Sequence, residues 1–150
     1  MNARFWIAIG AALGLFAINY AIAGKERIVR SGTPILLELA PIDPRSLMQG
    51  DYMALRFEIA DQLAAGTDTR RDGRHYTAAI RIDANRVAQA DPNGKHKLRY
   101  RWRDQGPWIG TNAFFFEEGS AERYANARYG EFRLDEDTGE AVLVGLVDTP

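Results

Sequence analysis

Residues 5–23, FWIAIGAALGLFAINYAIA, contain no charge over 19 positions and only one strongly polar side chain, Asn19. In hydrocarbon, a single segment must satisfy its own backbone hydrogen bonds, so this run can only be a helix there. At 1.5 Å rise per residue it extends about 28 Å, close to the roughly 30 Å hydrocarbon thickness of a bilayer. Trp6 and Tyr20 lie near its two ends, where amphipathic rings favour the interface. Gly10 and Gly14 form a small-xxx-small pair that lets another helix approach, though glycine is also ordinary in membrane helices.

A cleavable signal competes with a retained anchor. Ala21-Ile22-Ala23 has the form of a cleavage site, and Arg4 supplies a small positive leader. The apolar run exceeds the roughly 7–15 residues of a signal core, which favours retention. The chain thus divides into an anchor at 1–24, a linker at 25–33 and a soluble β domain at 34–150. Lys25, Arg27 and Arg30 follow the run, while only Arg4 and the amino terminus precede it. Taken alone, the positive-inside rule would keep the domain in the cytoplasm.

Composition narrows the chemistry. The formal net charge of −1 offers no field for nucleic acid, and no basic arm is visible. With no cysteine, thiol nucleophiles, disulfides, lipobox lipidation and cysteine metal sites are excluded. The two histidines, His75 and His96, are too few for a multi-histidine metal centre. No metal or other cofactor is expected.

Beyond Pro34 the hydrophobic period is two. Ile35, Leu37 and Leu39 share a face, as do Met53, Leu55, Phe57 and Ile59. The same alternation turns Tyr76, Ala78, Ile80 and Ile82 inward, and Leu98, Tyr100 and Trp102. AVLVGLV at 141–147 is apolar on both faces, as a central or doubly covered strand would be. DPNG at 91–94 and DEDTG at 135–139 read as hairpin turns, and 63–75 as a long polar loop. One short helix is expected after Ser120 as its cap, with Glu122 in its first turn, Arg128 in its last and Gly130 ending it. The expected fold is mostly β: an antiparallel barrel-like or sandwich domain of about seven strands with one short helix, preceded by an N-terminal transmembrane helix.

The most unusual stretch is PIDPRSLMQGDYMALRFEI at 41–59. Pro44 sets φ, Asp43 caps the turn that follows, and Gly50 and Asp51 end that turn and launch a strand. Arg45 is poised to pair with Asp51 or Glu58. Tyr52 and Arg56 fall on the outer face, where ring and guanidinium can meet, while Leu55 and Phe57 fall on the core face. Lys97, Arg99, Arg101 and Arg103 form an outward basic ladder, suited either to cross-strand pairing with groups such as Glu131 and Asp135 or to anionic lipid headgroups. Trp108 follows Gly106-Pro107 in an expected loop and is the leading candidate for partner contact.

The stretch at 41–59 resembles the signature of the GDYXXLXY-domain proteins, small bacterial membrane-anchored proteins of uncharacterised activity. FFFEEGSAERYANARYGEFRLDEDTGEAVLVGLVD resembles that family's second block, which includes Glu117, Glu118, Gly119, Arg128, Tyr129 and Gly130. Phe57 stands where the signature has its last tyrosine. The resemblance implies one N-terminal anchor in the bacterial inner membrane, a periplasmic domain and association with other membrane proteins. It tips the topology outward, against the charge count.

Catalysis finds little support in the sequence. The 41–59 stretch is loosely similar to a signal-peptidase-like launch, but Pro41 occupies the nucleophile's place and Ser46 lies after Pro44. Lys95 and Lys97 sit in or beside a turn, with no sign of the desolvation a lysine base requires. Glu117 and Glu118, adjacent on a strand, would point apart. The reading adopted is a non-catalytic binding or scaffolding module. Its alternatives are an envelope hydrolase built on Asp43, Arg45, Asp51 and the 63–75 loop, and an envelope glycan or peptide binder lined by Trp108 and Tyr52.

Overall fold

The computed structural model describes residues 3–40, 48–49, 52–65, 74–103 and 106–150. Helix α1 (Ala3–Ser31) contains the apolar run and then continues, without a break, through most of the segment read as linker. Its 29 residues reach about 43 Å. It is long and apolar enough to cross a membrane, and its apolar window is not buried by the rest of the chain. Ile28, near its end, is buried at 6% exposure. The helix closes where the Gly32 N–H donates to the Ile28 carbonyl. A Cβ on Gly32 would lie 2.5 Å from that oxygen, so only glycine turns the chain here without displacing it.

Among the described residues ten strands follow, more than the alternation marks out. One antiparallel sheet places β9 (Tyr129–Leu134) between β1 (Thr33–Glu38) and β10 (Ala141–Val147). A second, of short strands, joins β2 (Met48–Gln49), β3 (Tyr52–Ala54) and β8 (Ala113–Phe115). The third has the order β5-β4-β6-β7, from Ala88–Ala90, His75–Ile82, His96–Arg103 and Gly106–Trp108. Single bridges stitch the sheets together: Leu36 to Val87 in parallel and Leu39 to Phe57 in antiparallel. The Leu55 N–H donates to the Asn112 carbonyl, and the Arg99 N–H to the Gly139 carbonyl. The fold is therefore mostly β, a curled half-barrel with a long helix at one end.

The inward residues of all three sheets form one core. Ile35, Leu37, Ile80, Leu98, Phe132 and Leu134 are fully buried. Each such side chain contributes about 1.5–3 kcal/mol relative to exposure. Tyr100 and Trp102 are buried on the same face, as the alternation predicts. Leu36, on the opposite face of β1, joins Val87 and Tyr129 in a smaller cluster.

Four local expectations are overturned. The alternating run at 52–59 is not one strand: β3 ends at Ala54, and α2 (Glu58–Ala65) begins four residues later. Met53, Leu55, Phe57 and Ile59 are nevertheless all buried, because Ile59 and Leu63, four residues apart, share the inner stripe of α2. The DPNG turn does not join a hairpin. Ile80 pairs with Ala90 on one side and His96 on the other, so residues 91–95 carry the chain across β4. A Cβ on Gly94 would lie 2.2 Å from the Ile80 carbonyl oxygen, which is why glycine stands at the crossing.

The short helix is one 3-10 turn, Ala121–Tyr124. The Ser120 hydroxyl donates back to the Glu117 carbonyl instead of capping it, and Gly130 lies inside β9. β10 is an edge strand of its sheet, irregular between Leu143 and Gly145, rather than central. The DEDTG turn does form the expected hairpin: the Asp135 carboxylate accepts from the N–H groups of Asp137 and Thr138, and Gly139 takes φ +71°.

A basic groove at the helix–domain junction

The two blocks of sequence singled out above are each other's packing partners. In the first, Phe57 is buried, its ring edge-on to Phe132 at 5.2 Å. A Cβ on Gly130 would lie 2.9 Å from Phe57 Cε1 and 3.0 Å from Phe132 Cε2. Gly130 thus makes room for the ring that replaces the signature's last tyrosine. Leu55 is buried in the same core. Tyr52 pairs with Phe115 across β3 and β8, with ring centroids 5.7 Å apart.

Arg56 turns toward α2. Its guanidinium reaches the Asp61 carboxylate of α2 at 2.6 Å, between two exposed side chains. Such a pair is worth about 1 kcal/mol or less. Asp43, Pro44, Arg45, Gly50 and Asp51 lie outside the described residues, as do Ser46 and most of the 63–75 loop. In the second block, Glu117, Glu118 and Gly119 are exposed on a turn where Gly119 takes φ +80°. Phe114 and Phe116 turn inward against Tyr124, with centroids at 5.0 and 5.6 Å. Phe115 points outward at 75% exposure. Arg128 approaches Glu38 at 3.9 Å, and Tyr129 is buried in the smaller cluster.

The outer face of the four-stranded sheet is chemically distinct. Arg99, Arg101 and Arg103 project from β6 into an open groove of about 390 Å³, whose lining also includes Lys25 of α1, Trp108 and Glu140. Lys97 shares their strand parity and is exposed. Trp108 is not in a loop: it ends β7, directly opposite Arg101, and is half-buried. The Arg103 guanidinium stacks 3.9 Å from its ring centroid, and its Nε1–H donates to the Gly110 carbonyl. Glu140 holds two cations, one oxygen taking Lys25 and the other Arg99 at 3.2 Å. Neither Glu131 nor Asp135 serves this ladder: Glu131 pairs with Arg133, and Asp135 closes its hairpin.

His75 lies opposite Arg101 in the register of β4 and β6, and Arg101 Nε donates to His75 Nε2 at 2.8 Å. Desolvation, and then the charges of Arg101 and Arg99, hold the His75 pKa below the ordinary imidazole value. Among the described residues the groove therefore gathers positive charge, with the His75 imidazole and the Glu140 carboxylate on its walls. Its charge balance favours an anion over a cation. Lys25, His75 and Glu140 escape sequence reasoning because the ion pair that completes the groove joins residues 115 positions apart.

These features define a β domain that carries an N-terminal helix long and apolar enough to cross a membrane, with a basic groove where helix and domain meet. The GDYXXLXY protein family model matches residues 14–146. The chain belongs to that family. No curated protein and no solved structure matches it.

Proposed function

We propose that this protein is a non-catalytic binding module of the bacterial inner membrane, anchored by residues 5–23, with its β domain in the periplasm and other membrane proteins as partners. One observation carries this reading. Helix α1 does not end with its apolar run but continues into the domain, fastened there by buried Ile28 and by Lys25 on Glu140. A partner that tilts or rotates the anchor therefore moves the β domain with it. Among the described residues nothing lies within 4 Å of a Cβ built on Gly10 or Gly14, which suits that stripe to the approach of a second helix. The packing of Tyr52 on Phe115, of Phe57 against Gly130 and Phe132, and of Leu55 in the same core supports an architectural role for the family blocks.

The test is site-specific photocrosslinking in intact cells, with the photoreactive residue at Gly14 or at Trp108. Discrete adducts with membrane proteins are expected. Absence of any adduct from both positions, at normal expression, would count against the reading. A reporter fused after Pro150 checks the side: activity confined to the cytoplasm would overturn the periplasmic assignment.

A further inference from the structure

We propose that the groove between α1 and β6 seats the phosphate headgroup of an anionic phospholipid, gripping the membrane in which the chain is anchored. The inference rests on the reading of residues 5–23 as membrane-spanning. Lys25 belongs to both the anchor helix and the groove lining. It stands two residues past Ala23, about 3 Å further along the helix axis, which places its side chain at headgroup depth. Arg99 shares the Glu140 carboxylate with Lys25, so the basic ladder starts at that same level.

Charge identifies the ligand. Among the described lining residues, four cations, Lys25, Arg99, Arg101 and Arg103, stand against one carboxylate, Glu140. A bound phosphate would offset the mutual repulsion of these side chains. The arginine forks suit phosphate oxygens, and the Arg103–Trp108 stack holds one fork flat. Tryptophan is itself favoured at the interface. The volume, about 390 Å³ and open to one side, admits a headgroup without enclosing it.

The full chain is reconstituted in nanodiscs of phosphatidylcholine alone or with added phosphatidylglycerol, then released into the gas phase to weigh the lipids it retains. Preferential retention of phosphatidylglycerol is expected. The R99Q/R101Q/R103Q variant should lose that preference by about tenfold or more, since each basic residue near an anionic surface contributes several-fold in affinity. A control variant outside the groove lining, R81Q/R123Q, should keep it.

Equal retention of the two lipids, or equal loss in both variants, would sink the proposal. Circular dichroism of the triple variant guards against misfolding. If it unfolds, the single change R101Q, with a smaller expected loss, takes its place. Glycerol phosphate added to phosphatidylcholine discs tests the free-ligand source. Saturation of the groove by it, with no gain from phosphatidylglycerol, would overturn the lipid assignment. A chain that enters phosphatidylcholine discs yet shows no preference fails the groove alone. A chain that enters no disc at all fails the anchor reading as well.

Discussion

Gly130 and Phe57 occupy one shared space. The nearest atom to a Cβ built on Gly130 is Phe57 Cε1, at 2.9 Å, although Gly130 has an ordinary strand conformation. The glycine is required by its neighbour's ring, not by its own backbone. Phe132 and Leu143 crowd the same Cβ, at 3.0 and 3.2 Å, so a methyl there meets three side chains at once.

Gly130→Ala should therefore destabilise the domain by about 1–3 kcal/mol, the usual cost of overpacking a core. Denaturant unfolding of the detergent-solubilised chain measures it. Gly145→Ala is the control: nothing lies within 4 Å of its Cβ, and the change should be close to neutral. An equal loss in both variants would show that the ring contact is not the cause.

A double-mutant cycle isolates the contact. Phe57→Leu removes Cε1 and should by itself cost a few kcal/mol through the lost Phe132 stack. Combined with Gly130→Ala, the penalties should fall short of additivity by about 0.5–3 kcal/mol, because the alanine methyl then enters space the ring has vacated. Strict additivity would refute the shared-space account.

Ile28→Ser should loosen the end of α1 from the domain, forfeiting about 2 kcal/mol of local packing. Hydrogen exchange reads this directly. Amides at 26–32 should exchange faster, while those of β9 stay protected, since β9 keeps β1 and β10 on its two sides. Unchanged exchange at 26–32 would mean that Ile28 does not hold the helix in place.

Burial of Asp135 opposes its ionisation, but the Thr138 and Asp137 N–H groups, the Thr138 side chain and the Arg27 charge more than offset this, leaving its pKa below the ordinary value. A carboxylate depressed in the folded state stabilises the fold above its unfolded pKa, and that contribution disappears as pH falls through the folded value. The melting-temperature gap between the native chain and Asp135→Ala should be full at pH 6 and close progressively below about pH 4. A gap constant down to pH 2 would contradict the hairpin's charge-assisted bonds.

His75 should titrate below the ordinary imidazole value because of desolvation and the Arg101 and Arg99 charges. With a lowered folded pKa, its contribution to stability is present above the unfolded value and lost as pH falls through the folded one. Proton NMR of the imidazole follows the midpoint, and Arg101→Ala should move it upward. No movement would mean that the guanidinium does not act on the ring.

What could be read from the sequence follows from one-dimensional physics. The burial of Leu98, Tyr100 and Trp102 and the exposure of Lys97, Arg101 and Arg103 need only the two-residue period of a strand. Parity even identified the buried residues of 52–59 where the element type did not follow, because Ile59 fits both a strand alternation and the i, i+4 stripe of α2. The DPNG turn misleads for a related reason. Its residues specify a tight turn, and the turn is there, with the Gly94 N–H on the Asp91 carbonyl, but a local signal cannot say on which side of β4 the next strand will pair.

The sequence by itself determined an uncharged helix long enough to cross a bilayer, a β domain behind it, the inward rings of β6, the Asp135 hairpin and the family. Each depends on neighbours within a few residues or on composition. Only the tertiary structure decided that Gly130 yields space to Phe57, that Tyr52 meets Phe115, and that Lys25 and Arg99 converge on Glu140. Those relations join residues far apart along the chain, and strand order and the docking of α1 bring them together. The groove they complete exists because α1 continues into the domain instead of stopping where its apolar run ends.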